Sequence, residues 1–213
     1  MTFVFLVLLS LFYHIYAYVE LTPSDYFPTF AIKFLQWPVK DVSLLMSLFF
    51  GAHCLGRFLG VPMSFVLRPR TMITINLLLT TVAYVILLPV KNLPELLWVS
   101  AALSGIGMAT TYATTILWVS ESIAISGRVA SVVVASGSFG SIIQPQIVGR
   151  LFDLPAVGGP MSMVYVLVTA AVVHIVLFIC MLVFVAQWLS NHRAVELQQT
   201  LVSAPTSTRS AVE

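Results

Sequence analysis

The chain has 213 residues, of which 59% are hydrophobic and only 8% charged, and its formal net charge at pH 7 is +2. The mean hydropathy of +1.01 is far above that of a water-soluble domain, so the composition indicates an integral membrane protein. The small net charge and the lack of any run of basic residues argue against nucleic acid as a partner. The high hydropathy indicates that the chain lies in the lipid bilayer instead.

Six stretches are long and apolar enough to be transmembrane helices, which need about 20 residues to cross the hydrocarbon. They are residues 2–20, 42–66, 71–90, 95–120, 128–150 and 161–189. The sequence therefore predicts an all-α membrane protein in which residues 1–190 form one transmembrane domain. Residues 191–213 are polar and rich in serine and threonine, so we expect a disordered cytoplasmic tail.

The basic residues outside the spans predict the orientation of the chain. With Met1 in the cytoplasm, five of these residues lie in inside segments and four in outside segments, a weak positive-inside excess. This excess favours a multi-pass protein with both termini in the cytoplasm. The first stretch has no basic region before its apolar run, so we interpret it as a retained span rather than a signal peptide.

Polar side chains gather on single faces of several spans. In the first span Tyr13, Tyr16 and Glu20 share one side. The third and sixth spans are almost uniformly apolar, so we expect them to face lipid. The polar faces of the fourth and fifth spans comprise Ser104, Gly107, Thr111, Thr114, Thr115 and Trp118, and Gly137, Gly140, Ser141 and Gln144.

These faces fit two interpretations. Hydroxyl groups beside an aromatic ring suit a pathway for a sugar-like solute, but small and polar residues also join transmembrane helices. We leave both open for the fourth span. For the GxxxG pair of Gly56 and Gly60 we favour helix packing. Gln144, directly before Pro145, either binds a solute hydroxyl or satisfies the backbone carbonyl that the proline leaves free.

Three segments carry a family resemblance. They read YVELTPSDYFPTFAIK, GAHCLGRFLGVPMSFVLRPRTM and TTYATTILWVSESIAISGRVASVVVASGSFGSIIQPQIVGRLFD. In order and spacing they resemble the C-terminal half of the sodium-dependent glucose transporter 1 type of the major facilitator superfamily. Gly60, Arg68 and Arg70 match the superfamily signature G-x-x-x-D-R-x-G-R-R, whereas Ser64, Phe65 and Leu67 depart from it.

The resemblance implies half of a twelve-helix carrier, whole or as a fragment, and not an enzyme. Its implied function is transport of a small polar solute of the sugar class across the plasma membrane, together with a complementary N-terminal half or a second copy. No cofactor or metal is expected, and coupling to sodium or protons stays open, since Ser141 stands where family members tend to have an acidic residue. The candidate solute ligands are Tyr13, Tyr16, Glu20, Thr111, Thr114, Trp118 and Gln144.

Arg57 places a permanent charge inside the second span. It lies about 15 residues into the span, or about 22 Å from the outer end, in the cytoplasmic third. We hypothesise a cytoplasmic charge cluster that holds the inner ends of the helices together in one transport state, as the resemblance implies. Its members are Arg57, Arg68, Glu121 and Arg128. The alternative is that Arg57 reaches the headgroups without a partner.

Two other function classes remain open. A membrane protein without transport activity would use the same polar faces to bind a partner. An intramembrane serine protease would use Ser136 or Ser138 with His174, although the stretch ASGSFG lacks the usual nucleophile motif and an evident oxyanion donor.

Overall fold

The structure, a computed structural model, describes residues 2–121, 127–155 and 158–203. Every regular element in these ranges is helical, which confirms the predicted all-α fold. The helices are α1 (Thr2–Lys33), α2 (Val39–Val66), α3 (Pro69–Val85), α4 (Leu96–Met108), α5 (Thr111–Ser120), α6 (Gly127–Asp153) and α7 (Ser162–Ser203), with a 3₁₀ turn at Gly159–Met161 before α7.

Five helical stretches of the described chain are long and apolar enough to cross a membrane. They are Phe3–Lys33, Val39–Val66, Leu96–Ser120, Val129–Asp153 and Gly159–Trp188. The remaining predicted span is α3, which has 17 helical residues and continues through turns toward α4. This length lies at the lower limit for a transmembrane helix.

The first helix is longer than the sequence predicted, because α1 continues past residue 20 to Lys33. Pro23 and Pro28 lie inside it. A proline within a helix leaves the carbonyl four residues earlier without its usual donor. Tyr84 replaces that donor for Val19, since its hydroxyl donates to the Val19 carbonyl oxygen over 2.5 Å. The extension moves Glu20 from the expected helix end to the middle of α1.

The predicted fourth span is interrupted between α4 and α5. Thr110 has φ −115° and ψ −2°, which depart from regular helix values, and α5 begins at the next residue. The preceding segment packs very closely on its neighbours: a Cβ on Gly105 would lie 2.6 Å from the Phe49 carbonyl oxygen, and one on Gly107 would lie 2.5 Å from Thr80 Oγ1. Close backbone packing therefore holds α4 directly before the interruption.

The helices pack around α1, which contacts α2, α6 and α7, while α3 contacts α4, α5 and α7. One apolar core surrounds Phe27, Phe49 and Leu97 on the C-terminal half of α1. A second surrounds Phe12 and Trp118 on its N-terminal half. The spans of α2 and α6 bury the smallest shares of their residues, 28% and 22%, so these two helices present the largest uncovered faces.

The exposed faces of α3 and α7 are largely apolar. They include Leu78, Val82, Val85, Val172, Val176 and Ile179. These faces fit the predicted contact of both helices with lipid. At its end, α7 continues to Ser203, so the polar segment from residue 191 begins as a continuation of this helix. Residues 204–213, where the rest of the expected tail falls, lie outside the described part of the chain.

Candidate functional site

A cavity of about 690 Å³ opens beside the interruption of the fourth span. Residues from α1, α2, α3 and α5 form its walls, and the interruption itself contributes Ala109 and Thr110. The polar lining consists of Tyr16, Glu20, Arg57, Ser64, Thr110, Tyr112 and Thr114. Hydroxyl groups, two aromatic rings and two opposite charges thus share one cavity within the helix bundle.

Glu20 on α1 and Arg57 on α2 are the charged pair of this cavity. Both side chains line the cavity together with the Tyr16 ring, so a negative and a positive group face one shared space. Tyr16 and Glu20 are four residues apart, so they occupy the same face of α1. Opposite charges that share one cavity lower the cost of keeping each of them inside a membrane span.

Of the described members of the hypothesised cytoplasmic charge cluster, only Arg57 lines the cavity. It shares that cavity with Glu20, whereas Arg68 and Glu121 lie outside the lining. Arg68 and Glu121 are exposed to solvent or lipid, and the side chain of Arg128 lies outside the described part of the chain. Glu20 was overlooked as a partner because the first span was expected to end there.

Most of the predicted polar face of the fourth span serves helix packing. Thr111 donates its hydroxyl to the Gly107 carbonyl oxygen at 3.2 Å, and Thr115 donates to the Thr111 carbonyl oxygen at 2.8 Å. Trp118 is fully buried, with its ring centroid 5.5 Å from that of Phe178. Thr114 alone of the predicted solute ligands on this face lines the cavity.

Tyr13 is also buried outside the cavity lining, although it supports one wall. Its hydroxyl donates to the Tyr112 carbonyl oxygen at 3.1 Å, and the two rings meet edge to face with centroids 4.9 Å apart. Tyr112 lines the cavity. Of the candidates on α1, Tyr16 and Glu20 therefore face the cavity, and Tyr13 holds the neighbouring wall.

Gln144 lies between α6 and α1, away from the cavity lining. Its Nε2 donates to Thr22 Oγ1 at 2.9 Å, and its amide oxygen has no hydrogen-bond partner among the described residues. The Tyr26 hydroxyl donates to the Pro145 carbonyl oxygen at 2.6 Å, which is a second hydrogen bond between α1 and α6. Gly140 lets α6 approach α1 closely at this point, because a Cβ there would lie 2.7 Å from the His14 carbonyl oxygen.

The GxxxG pair of α2 confirms the predicted packing role. A Cβ on Gly56 would lie 2.7 Å from the Ala109 Cβ, and one on Gly60 would collide with the Thr110 methyl group. Both glycines therefore let α2 approach the interruption of the fourth span. Asn76 on α3 donates to Thr110 Oγ1 at 2.8 Å, a contact that the sequence could have indicated only through the isolated amide in an apolar span.

The residues of the serine protease alternative are not brought together. Ser136 donates its hydroxyl to the Val132 carbonyl oxygen on its own helix. His174 is buried against Phe12, with ring centroids 4.1 Å apart, and its next aromatic neighbour is Tyr16. These contacts give no nucleophile and base within hydrogen-bonding reach of each other.

A bundle of membrane-spanning helices with a charged, hydroxyl-lined cavity at an interrupted helix is typical of a membrane transporter. The chain belongs to the Major Facilitator Superfamily, because the family model of that description matches residues 1–208. This membership places it among integral, multi-pass transport proteins rather than among enzymes.

Several relatives share part of their length with this chain. It is 31% identical to sodium-dependent glucose transporter 1 of Homo sapiens over 158 residues, 71% of this chain and 30% of that protein. Identity to the Danio rerio protein of the same name is 30% over 62% of this chain and 22% of that protein. Identity to major facilitator superfamily domain-containing protein 4A of Mus musculus is 29% over 54% of this chain and 22% of that protein.

The matched part of the chain therefore spans only 22–30% of the length of these relatives. No solved structure matches the chain significantly.

Proposed function

We propose that this chain is the C-terminal half of a plasma-membrane carrier, with both termini in the cytoplasm, and that its cavity binds a neutral sugar. The cavity that contains Glu20 and Arg57 carries this proposal. Its volume of about 690 Å³ falls in the range of small-molecule sites. The names of the relatives, glucose transporters in three vertebrates, support the sugar class.

The charges of the cavity favour a neutral solute. Glu20 and Arg57 carry opposite charges on the same cavity, so neither an anion nor a cation gains a net attraction from them. A carboxylate accepts hydrogen bonds and a guanidinium donates them, which suits the paired hydroxyls of a sugar. Tyr16 and Tyr112 add aromatic edges against which a sugar ring packs.

A series of three solutes tests the proposal. Binding of D-glucose, D-glucuronate and D-glucosamine to the purified chain in detergent is measured by titration calorimetry. We expect D-glucose to bind best to the native chain, Arg57→Gln to favour the cation, and Glu20→Gln to favour the anion. Equal weak binding of all three, unchanged in both variants, would contradict the proposal.

A partner surface is part of the same proposal. The uncovered faces of α2 and α6 call for a complementary six-helix half or a second copy of this chain. D-glucose uptake into proteoliposomes is measured with the chain alone and with a co-expressed N-terminal half of a relative, with sodium or choline outside. Sodium-stimulated uptake supports a symporter. Partner binding in the absence of any sugar binding would favour the alternative, a non-transporting interaction protein.

Gln144 remains a proposed solute ligand, and Thr22 provides its matched control. Gln144→Ala and Thr22→Val both break the hydrogen bond that joins α6 to α1. A loss of sugar affinity confined to Gln144→Ala supports direct binding of the solute. Equal losses in both variants would assign the pair to helix packing alone.

A further inference from the structure

Asn76 is a buried amide within the third predicted span. It lies on α3, and its side chain is 9% exposed. Burying an amide in an apolar span costs free energy unless the amide is hydrogen-bonded. The residue that bonds to Asn76 therefore indicates what the amide is for. That partner is Thr110 Oγ1, 2.8 Å from Asn76 Nδ2. Asn76 itself does not line the cavity, whereas Thr110 does.

Thr110 is held from two sides at the interruption between α4 and α5. Its hydroxyl accepts from Asn76 of α3, and its methyl group lies in the gap left by Gly60 of α2. Its carbonyl oxygen accepts both the backbone N–H of Thr114 at 2.9 Å and the Thr114 hydroxyl at 2.8 Å. The orientation of Thr110 therefore sets the direction in which α5 leaves the interruption.

From these contacts we infer that Asn76 is a positioning residue for the solute site, an inference that rests on the proposed function of the cavity. By fixing Thr110, Asn76 fixes the start of α5 and with it the wall that carries Tyr112 and Thr114. Because the Thr110 oxygen already accepts from Asn76, its hydroxyl hydrogen remains to be donated to an oxygen of the solute. Asn76 thus sets the shape of this wall and makes the Thr110 hydroxyl a hydrogen-bond donor toward the solute.

The first test measures wall position without any solute. In a background of Cys54→Ser and Cys180→Ser, Ala113→Cys places one thiol on the cavity wall. Its rate of reaction with a water-soluble methanethiosulfonate is measured in the full chain. We expect Asn76→Leu and Thr110→Val each to change this rate by about threefold, since an average intramembrane hydrogen bond contributes about that factor.

The double variant and a matched control decide between positioning and general loosening. If both changes act through one hydrogen bond, Asn76→Leu with Thr110→Val changes the rate no more than either alone. Thr81→Val removes another polar group of α3, whose hydroxyl bonds only to the Leu77 carbonyl oxygen of its own helix at 2.7 Å, and should leave the rate unchanged. An unchanged rate in Asn76→Leu, or an equal change in Thr81→Val, overturns the inference.

The second test measures solute affinity. Asn76→Leu should raise the KM for D-glucose by about threefold with little change in maximal rate, whereas Thr81→Val, outside the cavity lining, should retain the native KM. A reduced maximal rate at native KM would overturn the specificity role of Asn76. If D-glucose is not transported at all, the proposed function fails, whereas the thiol reaction rates still decide the positioning role.

Discussion

Glu20 in the middle of α1 and Arg57 on α2 bring opposite charges to the same intramembrane cavity. Tyr16, one helical turn before Glu20, completes the group. A lone charge at the centre of a membrane-spanning helix is unfavourable by about 2.5–3.5 kcal/mol on insertion scales, and an opposite charge nearby reduces that cost. Sharing this cavity with Glu20 therefore lowers the cost of a permanent charge within the second span.

Exchange of the two charges tests this relationship. Glu20→Arg and Arg57→Glu should each reduce D-glucose uptake by at least about tenfold, because each leaves two like charges on one cavity. The double variant should recover a substantial part of the uptake. Arg57→Glu combined with Glu121→Arg serves as the control and should recover nothing. Recovery in the Glu121 pair instead would restore the cytoplasmic cluster predicted from the sequence.

Gly60→Ala should destabilise the fold, because the added methyl group meets the methyl group of Thr110. Overpacking of this kind costs about 1–3 kcal/mol. Gly51→Ala is the matched control on the same helix, since nothing lies within 4 Å of a Cβ there. Thermal unfolding in detergent is the measurement. Thr110→Ser removes the opposing methyl group and should rescue Gly60→Ala; a failure of this rescue would argue against the contact.

Tyr84→Phe should lower stability by about 1–3 kcal/mol, because it leaves the buried Val19 carbonyl without a donor. Pro23→Ala restores a backbone N–H at the position that would normally bond this carbonyl. The loss caused by Tyr84→Phe should therefore shrink in the Pro23→Ala background, as followed by thermal unfolding. Tyr165→Phe, at a ring that is 51% exposed, is the control. Equal losses in both backgrounds would show that Tyr84 does not compensate for Pro23.

The amino-acid pattern was sufficient for the helical class and for the second, fourth, fifth and sixth spans, whose helices fall within a few residues of the predicted bounds. These features follow from apolar length and from helical periodicity, which are local properties of the chain. The continuation of α1 beyond Glu20 was missed because the predicted span ended with the apolar run, and two prolines follow that run. Here it depends on Tyr84, a donor that lies 65 residues away in the chain.

The candidate site was only partly predictable, because its residues are also grouped by contacts between distant parts of the chain. Tyr16, Glu20, Thr114 and Arg57 were recognised as polar groups in apolar spans, and all four line the cavity. Their grouping depends on the interruption at Thr110, which arises from contacts with α2 and α3 and leaves no periodic signal. Asn76 was hidden by the apolar residues around it, although a single amide in such a span is itself informative.

The last prediction is that α5 faces the water-filled cavity at Thr114, whereas the exposed faces of α3 and α7 contact lipid. Spin labels are attached to single cysteines at Thr114, Thr115, Val82 and Val176 in a background of Cys54→Ser and Cys180→Ser, and their collisions with oxygen in lipid and with a nickel chelate in water are measured. The label at Thr114 should meet the nickel chelate, because this residue lines the cavity.

Labels at Val82 and Val176, each about half exposed on an apolar face, should meet oxygen only. Thr115 is the matched control next to Thr114, since its side chain is fully buried and should meet neither reagent. Access of the chelate to Val82 and Val176 would place those faces toward water or a partner, and the assignment of α3 and α7 to the lipid side would then be wrong.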